Sequence, residues 1–251
     1  MAYTNIDDPS AYFQTALYTG NAGFNTITND GNSDLAPDFI WGKCRSTTKT
    51  HFWYDTTRGA EKRLESDNTG AEDTGTNGIL NFYTDGFRTA SGNTENDNGE
   101  SYVAWQWKAN GGTTVSNTDG SITSTVQANQ DAGFSIVKYT GSGGNGQSVL
   151  HGLGLTPEVI ITKARNGADD WYVYHKSIGN TKILKLNTAD AEASSSVYSA
   201  AAVSSSAFFV STNLIYVGEL GADFISYCFA PIHGYSKFGS YVGNGSGTSD
   251  G

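Results

Sequence analysis

Residues 35–45 read LAPDFIWGKCR and residues 155–165 read LTPEVIITKAR. Pro37 matches Pro157, Lys43 matches Lys163 and Arg45 matches Arg165, at a period of about 120 residues, which marks a tandem array of one module. Each stretch is a proline followed by a run of apolar residues short enough for a strand. Working outward, the landmarks keep their order. Upstream, residues 13–20 (FQTALYTG) match residues 134–141 (FSIVKYTG). Downstream, HFWYDTTRG at 51–59 matches WYVYHKSIG at 171–179, and YVAWQW at 102–107 matches FISYCF at 224–229. A third copy opens at 238–245 (FGSYVGNG), so the polypeptide is expected to continue past Gly251.

The predicted organisation is a first module over residues 1–114, a Ser/Thr/Asn/Gly-rich linker over 115–131 with room for one strand of its own, a second module over 132–238, and the start of a third repeat over 239–251. Of 251 residues 12% are aromatic and 31 are Gly, a pairing that favours strands joined by tight turns. Within 170–175, Trp171, Val173 and His175 fall on one face and Tyr172 and Tyr174 on the other. Both faces are largely apolar, which suits a strand held between two layers. No sustained amphipathic helix is visible, and residues 188–196 read as a loop or a single turn. The fold class is therefore all-β, two tandem β-sandwich modules of jelly-roll or concanavalin-like layout, with a closed barrel as the competing architecture.

A net charge of −10 with only 15 Lys and Arg spread along the chain argues against nucleic acid as a partner. No stretch approaches the roughly 20 apolar residues needed to cross a bilayer, so membrane insertion is not expected. The opening MAYTNIDDPS has neither a basic n-region nor an apolar h-region, which points to synthesis in a cytoplasm.

The chemistry-bearing residues are sparse. Cys44 and Cys228 fall on different strands of different modules and read as small buried hydrophobes without a disulfide. His51, His151, His175 and His233 are scattered, with no ligand pattern shared by the modules, and read as histidines that find a hydrogen-bond partner. The sequence DGNSD at 30–34 alternates oxygen ligands, but Leu35 at the sixth loop position and Trp41 at the twelfth exclude an EF-hand. That loop and ENDNGE at 95–100 read as solvated turns, with a looser calcium site as the alternative, so no metal or cofactor is assigned. Asp38 and Glu158 each follow a proline at a strand start, and an acid kept in both modules reads as a cap rather than one of a catalytic pair. Trp53, Trp171, Tyr54 and Tyr172 could form a glycan-stacking face, but their strand setting favours core packing. No catalytic residue is assigned, and no binding residue can be named.

Taken together, the motifs resemble a family of virion proteins of marine bacteriophages built from tandem modules with a YTGNG opening, a PDFVWIKNR-type strand and a YVAWCWKA-type closing strand. They stand here as YTGN at 18–21, PDFIWGKCR at 37–45, YVAWQWKA at 102–109, SNTDGSITST at 116–125 and GYSKFGS at 234–240. Gln106 departs from the usual Cys, and Gly42 from the usual Ile. The resemblance implies a concanavalin-like sandwich and a tail fibre or appendage component acting in assembly and host adhesion, located in the virion, without enzymatic activity. A lectin-like module recognising host surface glycan, a depolymerase, and a head fibre or capsid decoration protein are the alternatives. The implied partners are other virion proteins, further copies of the chain in a homo-oligomer such as a trimer, and host glycan. Residues 1–10, which have no clear counterpart before Phe134, are the expected docking element.

Overall fold

The structure, a computed structural model, describes residues 5–75, 77–92, 94–198, 201–211 and 217–244. After a short 3-10 turn at Pro9–Ala11, the first module runs β1 (Phe13–Thr19), β2 (Asn25–Ile27), β3 (Phe39–Cys44), β4 (Phe52–Asp55), β5 (Lys62–Glu65), β6 (Asp73–Thr74), β7 (Ile79–Phe82), β8 (Phe87–Thr89) and β9 (Ser101–Trp107). The second runs β10 (Val115–Asn117), β11 (Ser124–Asn129), β12 (Phe134–Thr140), β13 (Gln147–Leu150), β14 (Val159–Ala164), β15 (Tyr172–His175), β16 (Lys182–Lys185), β17 (Ala193–Ser194), β18 (Ala207–Val210) and β19 (Asp223–Phe229).

Each module pairs one large antiparallel sheet with one small one. The large sheets run β1-β9-β3-β4-β5-β6 and β10-β11-β12-β19-β14-β15-β16-β17, and the small ones β2-β8-β7 and β13-β18. In both modules the opening strand pairs with the closing strand, and the closing strand pairs with the proline-led strand. The layout is an open sandwich, not a barrel.

The repeated Tyr-Thr-Gly has a common physical cause. Tyr18 donates its hydroxyl to the Glu95 carbonyl and Tyr139 donates to that of Val217, each at 2.8 Å. Two residues on, a Cβ at Gly20 would meet the Asp97 carbonyl, and one at Gly141 would meet that of Glu219. The motif thus clamps the opening strand against the loop before the closing strand.

Residues 115–131 are not a linker. β11 pairs along β12 from Ser124↔Tyr139 to Asn129↔Phe134, and Ile122 and Val126 enter the second module's core. The inward alternation at 122, 124, 126 and 128 is hard to read because Ser124 is itself an inward position and Thr123, Thr125 and Gln127 lie between the others. The third-repeat expectation falls partly on residues 245–251, outside the described residues; residues 238–244 carry no strand. From Ile6 onward the expected docking segment is tied to the first module. Ile6 is buried, Ser33 donates to Asp8 at 2.6 Å, and the Ser33 amide donates to Ser10 at 2.9 Å.

The strand alternation gives three cores, one inside each module and one shared between the two large sheets. Ile40, Phe52, Tyr54, Tyr102 and Ala104 face the first small sheet; Ile160, Tyr172, Tyr174, Phe224 and Cys228 face the second. The opposite faces of both large sheets meet each other. Phe39, Trp41, Trp53 and Trp107 pack there against Phe134, Ile161, Trp171, Val173, Tyr227 and Phe229. The order is therefore small sheet, large sheet, large sheet, small sheet, and each large sheet is buried on both sides.

Candidate functional site

The four aromatic residues singled out for glycan stacking are all interior. Trp53 lies 4.6 Å from Trp171, ring centre to ring centre, across the seam between modules. Trp171 also donates its indole N–H to the Glu65 carbonyl of the first module at 2.9 Å. Tyr54 and Tyr172 belong to the separate module cores.

The seam ends in a chain of buried charges. β4 delivers Asp55, whose carboxylate accepts from Arg58 three residues on and from the Tyr227 hydroxyl of β19 at 2.7 Å. Arg58 continues to Glu72 at 3.2 Å, and Glu72 receives two bonds of 2.9 Å from Arg165. Burial alone would lower the Arg58 pKa, yet Asp55, with Tyr227 and Glu72, holds it above its ordinary value. Burial likewise opposes the Glu72 carboxylate, and the Arg165 hydrogen bond and the two guanidinium charges hold its pKa below the usual range. Every charge has its partner, so the arrangement fastens the modules together and offers no unengaged acid or base.

The other expected residues are engaged locally. The Asp38 carboxylate accepts from the amides of Ala109, Gly111 and Gly112 and from the Thr56 hydroxyl, at 2.7 to 2.9 Å, and so fixes the turn after β9. Glu158 instead pairs with Lys176 at 2.6 Å. The conserved geometry of the repeat thus uses these two acids as ties at strand starts. Lys43 and Lys163 both fold back onto carbonyls of the turn after their strand, Lys43 onto Lys49 and Lys163 onto Gly167. Burial lowers the Lys163 pKa to about 8.

Trp41 donates to His51 at 3.4 Å, the Ser177 amide donates to His175 at 3.1 Å, and His233 is exposed. His151 is fully buried beside β13. Cys44 and Cys228 are buried free thiols in different cores, and burial raises Cys228 to about 12. Among the described residues no group of three or more His, Cys, Asp or Glu is placed to hold a metal. The 95–100 loop is spent on the fold: Glu95 meets Arg63 and Tyr54, Asp97 meets Lys49, and Glu100 meets Ser46.

The first module carries a polar groove of about 420 Å³, bounded by Tyr54, Glu61, Arg63, Asp73, Asn77 and Thr94. Arg63 on β5 reaches Asp73, Glu95 and Thr94 at 3.2 Å each. Glu61 at its lip has φ of 67°, a left-handed conformation that non-glycine residues rarely adopt. The registers Arg63↔Asp73 and Ile183↔Ala193 are equivalent, so an apolar pair stands at the same place in the second module. Sequence reading missed this groove because it looked for features kept in both copies, whereas the signal is the difference between KRLE at 62–65 and KILK at 182–185. Chemically, such a lining suits a hydroxylated, uncharged ligand. A second cleft, of about 390 Å³, is apolar and lies at the seam's rim, where Phe13, Phe134 and Phe238 converge.

The family described as a domain of unknown function (DUF7483) matches residues 8–251. The chain belongs to that family. No curated protein and no solved structure matches it. The family match spans both modules together, in keeping with their common seam.

Proposed function

We propose that this chain is a structural component of a bacteriophage particle, a tail fibre or other appendage protein that works in assembly and host adhesion without covalent chemistry. The observation that carries the reading is the seam: two copies of one sandwich are fused through their large sheets by stacked aromatics and paired buried charges. Such a body transmits force and sets reach, and its acids and bases are committed to holding it together. The repeat motifs that resemble phage virion modules supply the particle. An acidic surface, with net charge −10, suits exposure on a particle that must stay soluble and bind no nucleic acid. Other virion proteins and further copies of the chain are the partners in this reading. Cryo-electron microscopy of the particle tests it. Density for the four-layer body on the tail or an appendage is the expected result, and its absence from mature particles overturns the reading.

Recognition of host glycan is the second reading, favoured by the Arg63 groove of the first module. Arg63→Ala is expected to abolish retention on host-surface polysaccharide while the chain still unfolds in one cooperative transition. Retention equal to that of the unaltered chain removes the groove from consideration.

A further inference from the structure

The six strands of the first large sheet have counterparts in the same order in the eight-stranded one, but the opening strands differ in what lies beyond them. In the second module β12 lies inside its sheet, with β19 on one side and β11 on the other. In the first module β1 pairs with β9 and ends the sheet. Among the described residues, no strand pairs with its other side, where the Asn25 side-chain amide donates to the Thr19 carbonyl at 3.1 Å.

Strand parity shows what that side presents. The Tyr12 carbonyl accepts from Lys108, and the Gly20 amide donates to Glu100, so the even-numbered residues bond towards β9. The N–H and C=O groups of Phe13, Thr15, Leu17 and Thr19 therefore point outward. The matching groups of Phe134, Ile136 and Lys138 in β12 are those that β11 takes up.

The edge also lacks the devices that keep edges solitary. Exposed edges are normally short, charged, bulged or interrupted by proline. β1 has seven residues, FQTALYT, with no charge and no proline, and its register with β9 runs unbroken from Phe13↔Trp107 to Thr19↔Ser101. The other ends of the large sheets are protected by brevity: β6 and β17 have two residues each and β10 has three. On β1, Thr15 and Thr19 are exposed, and Leu17 keeps 63% of its surface in solvent.

We infer that β1 is the interface between two copies of this chain, which pair antiparallel about a two-fold axis and join the two first-module sheets into one. The occupant is a second copy because the strand complements itself. A two-fold centred on Ala16 sets Phe13 against Thr19 and Thr15 against Leu17, β-branched or aromatic residues against apolar or hydroxyl partners, and brings no like charges together. The outward groups of Thr15 and Leu17 in both strands are then satisfied as β11 satisfies those of Ile136 and Lys138, and the Thr19 carbonyl has its second lone pair for the Phe13 amide beside its bond from Asn25. The inference specifies the homo-oligomer as a dimer and does not depend on the virion assignment, since it concerns the isolated chain.

Sedimentation of the full 251-residue chain at about 100 μM, where even a weak interface is populated, tests it. The expected result is a dimer. Thr15→Pro removes an outward N–H, and Leu17→Lys places a charge beside the axis; each is expected to give a folded monomer whose thermal midpoint, unlike the parent's, is independent of protein concentration. Val115→Lys on the short edge β10 is expected to remain dimeric. A monomeric parent chain, a trimer, or a dimer that survives both β1 substitutions overturns the proposal. Should either variant fail to fold, amide exchange in the parent chain decides. Protection of the Thr15 and Leu17 amides must rise with protein concentration, and protection that is independent of concentration rejects the interface.

Discussion

At His151 the fold supplies a hydrogen-bond pattern that only a neutral ring completes. The Leu153 amide donates to Nδ1 at 3.2 Å, so Nε2 carries the proton and donates to the Ser204 carbonyl at 3.1 Å. Burial, only partly offset by that carbonyl, pushes the pKa down to about 4. Since the folded value lies below the unfolded value of about 6.5, the unfolded chain binds the extra proton first. The stability this residue provides is complete above about pH 6.5, is lost as pH falls towards 4, and amounts to about 3 kcal/mol. Urea midpoints measured from pH 4 to 7.5 are expected to fall steeply in the parent chain and to have a shallower slope in His151→Gln. Equal slopes would show that the ring is protonated without penalty. The residue was visible in the sequence only as an isolated histidine; its burial comes from the β13–β18 sheet, which 147–150 (QSVL) does not announce.

At the scale of strands, Gly42 shows how one element shapes its neighbour. It sits opposite Phe52 in the β3–β4 register, and a Cβ there would run into the Phe52 ring. The ring lies across the bare backbone and completes the first module's core in place of the missing side chain. Gly42→Ile, the residue usual in the modules this chain resembles, is expected to destabilise the protein by about 1–3 kcal/mol through overpacking. Phe52→Leu should recover part of that loss in the double variant but cost stability on its own, and denaturant midpoints of the four proteins give the coupling. Strictly additive effects would mean that the ring and the glycine do not share the space. The strands around this pair were legible because the repeat states each of them twice, as in the proline-led β3 and β14. β5 is not legible for the opposite reason: KRLE has neither strong alternation nor β-branched residues, and its place is set by pairing with β4, by the Arg58 hydrogen bond to the Lys62 carbonyl and by the Arg63 ion pairs with Asp73 and Glu95. β11 was half legible, its buried Val126 hidden among hydroxyl residues that satisfy the ladder as well as a linker would.

The whole molecule is governed by a fact that periodicity could suggest but not specify. Two apolar faces on 170–175 required a layer on each side of that strand, and the second layer turns out to be the other module. Isolated sandwiches joined by a linker would unfold independently. Here Phe39, Trp53, Phe134, Trp171 and Tyr227 are core residues only while both large sheets are present, and each buried aromatic contributes about 1.5–3 kcal/mol. Separating the sheets would also take Tyr227 from Asp55 and Arg165 from Glu72, leaving two carboxylates to share the one Arg58 guanidinium. The two modules are therefore expected to unfold in one transition. Four of the five tryptophans, Trp41, Trp53, Trp105 and Trp107, lie in the first module, so fluorescence follows mainly that half, whereas His151 lies in the second. With the halves coupled, His151→Gln must shift the fluorescence midpoint by as much as the midpoint followed by far-ultraviolet circular dichroism. A fluorescence transition that stays fixed while the circular dichroism moves would show two independent modules and would reduce the seam to a contact.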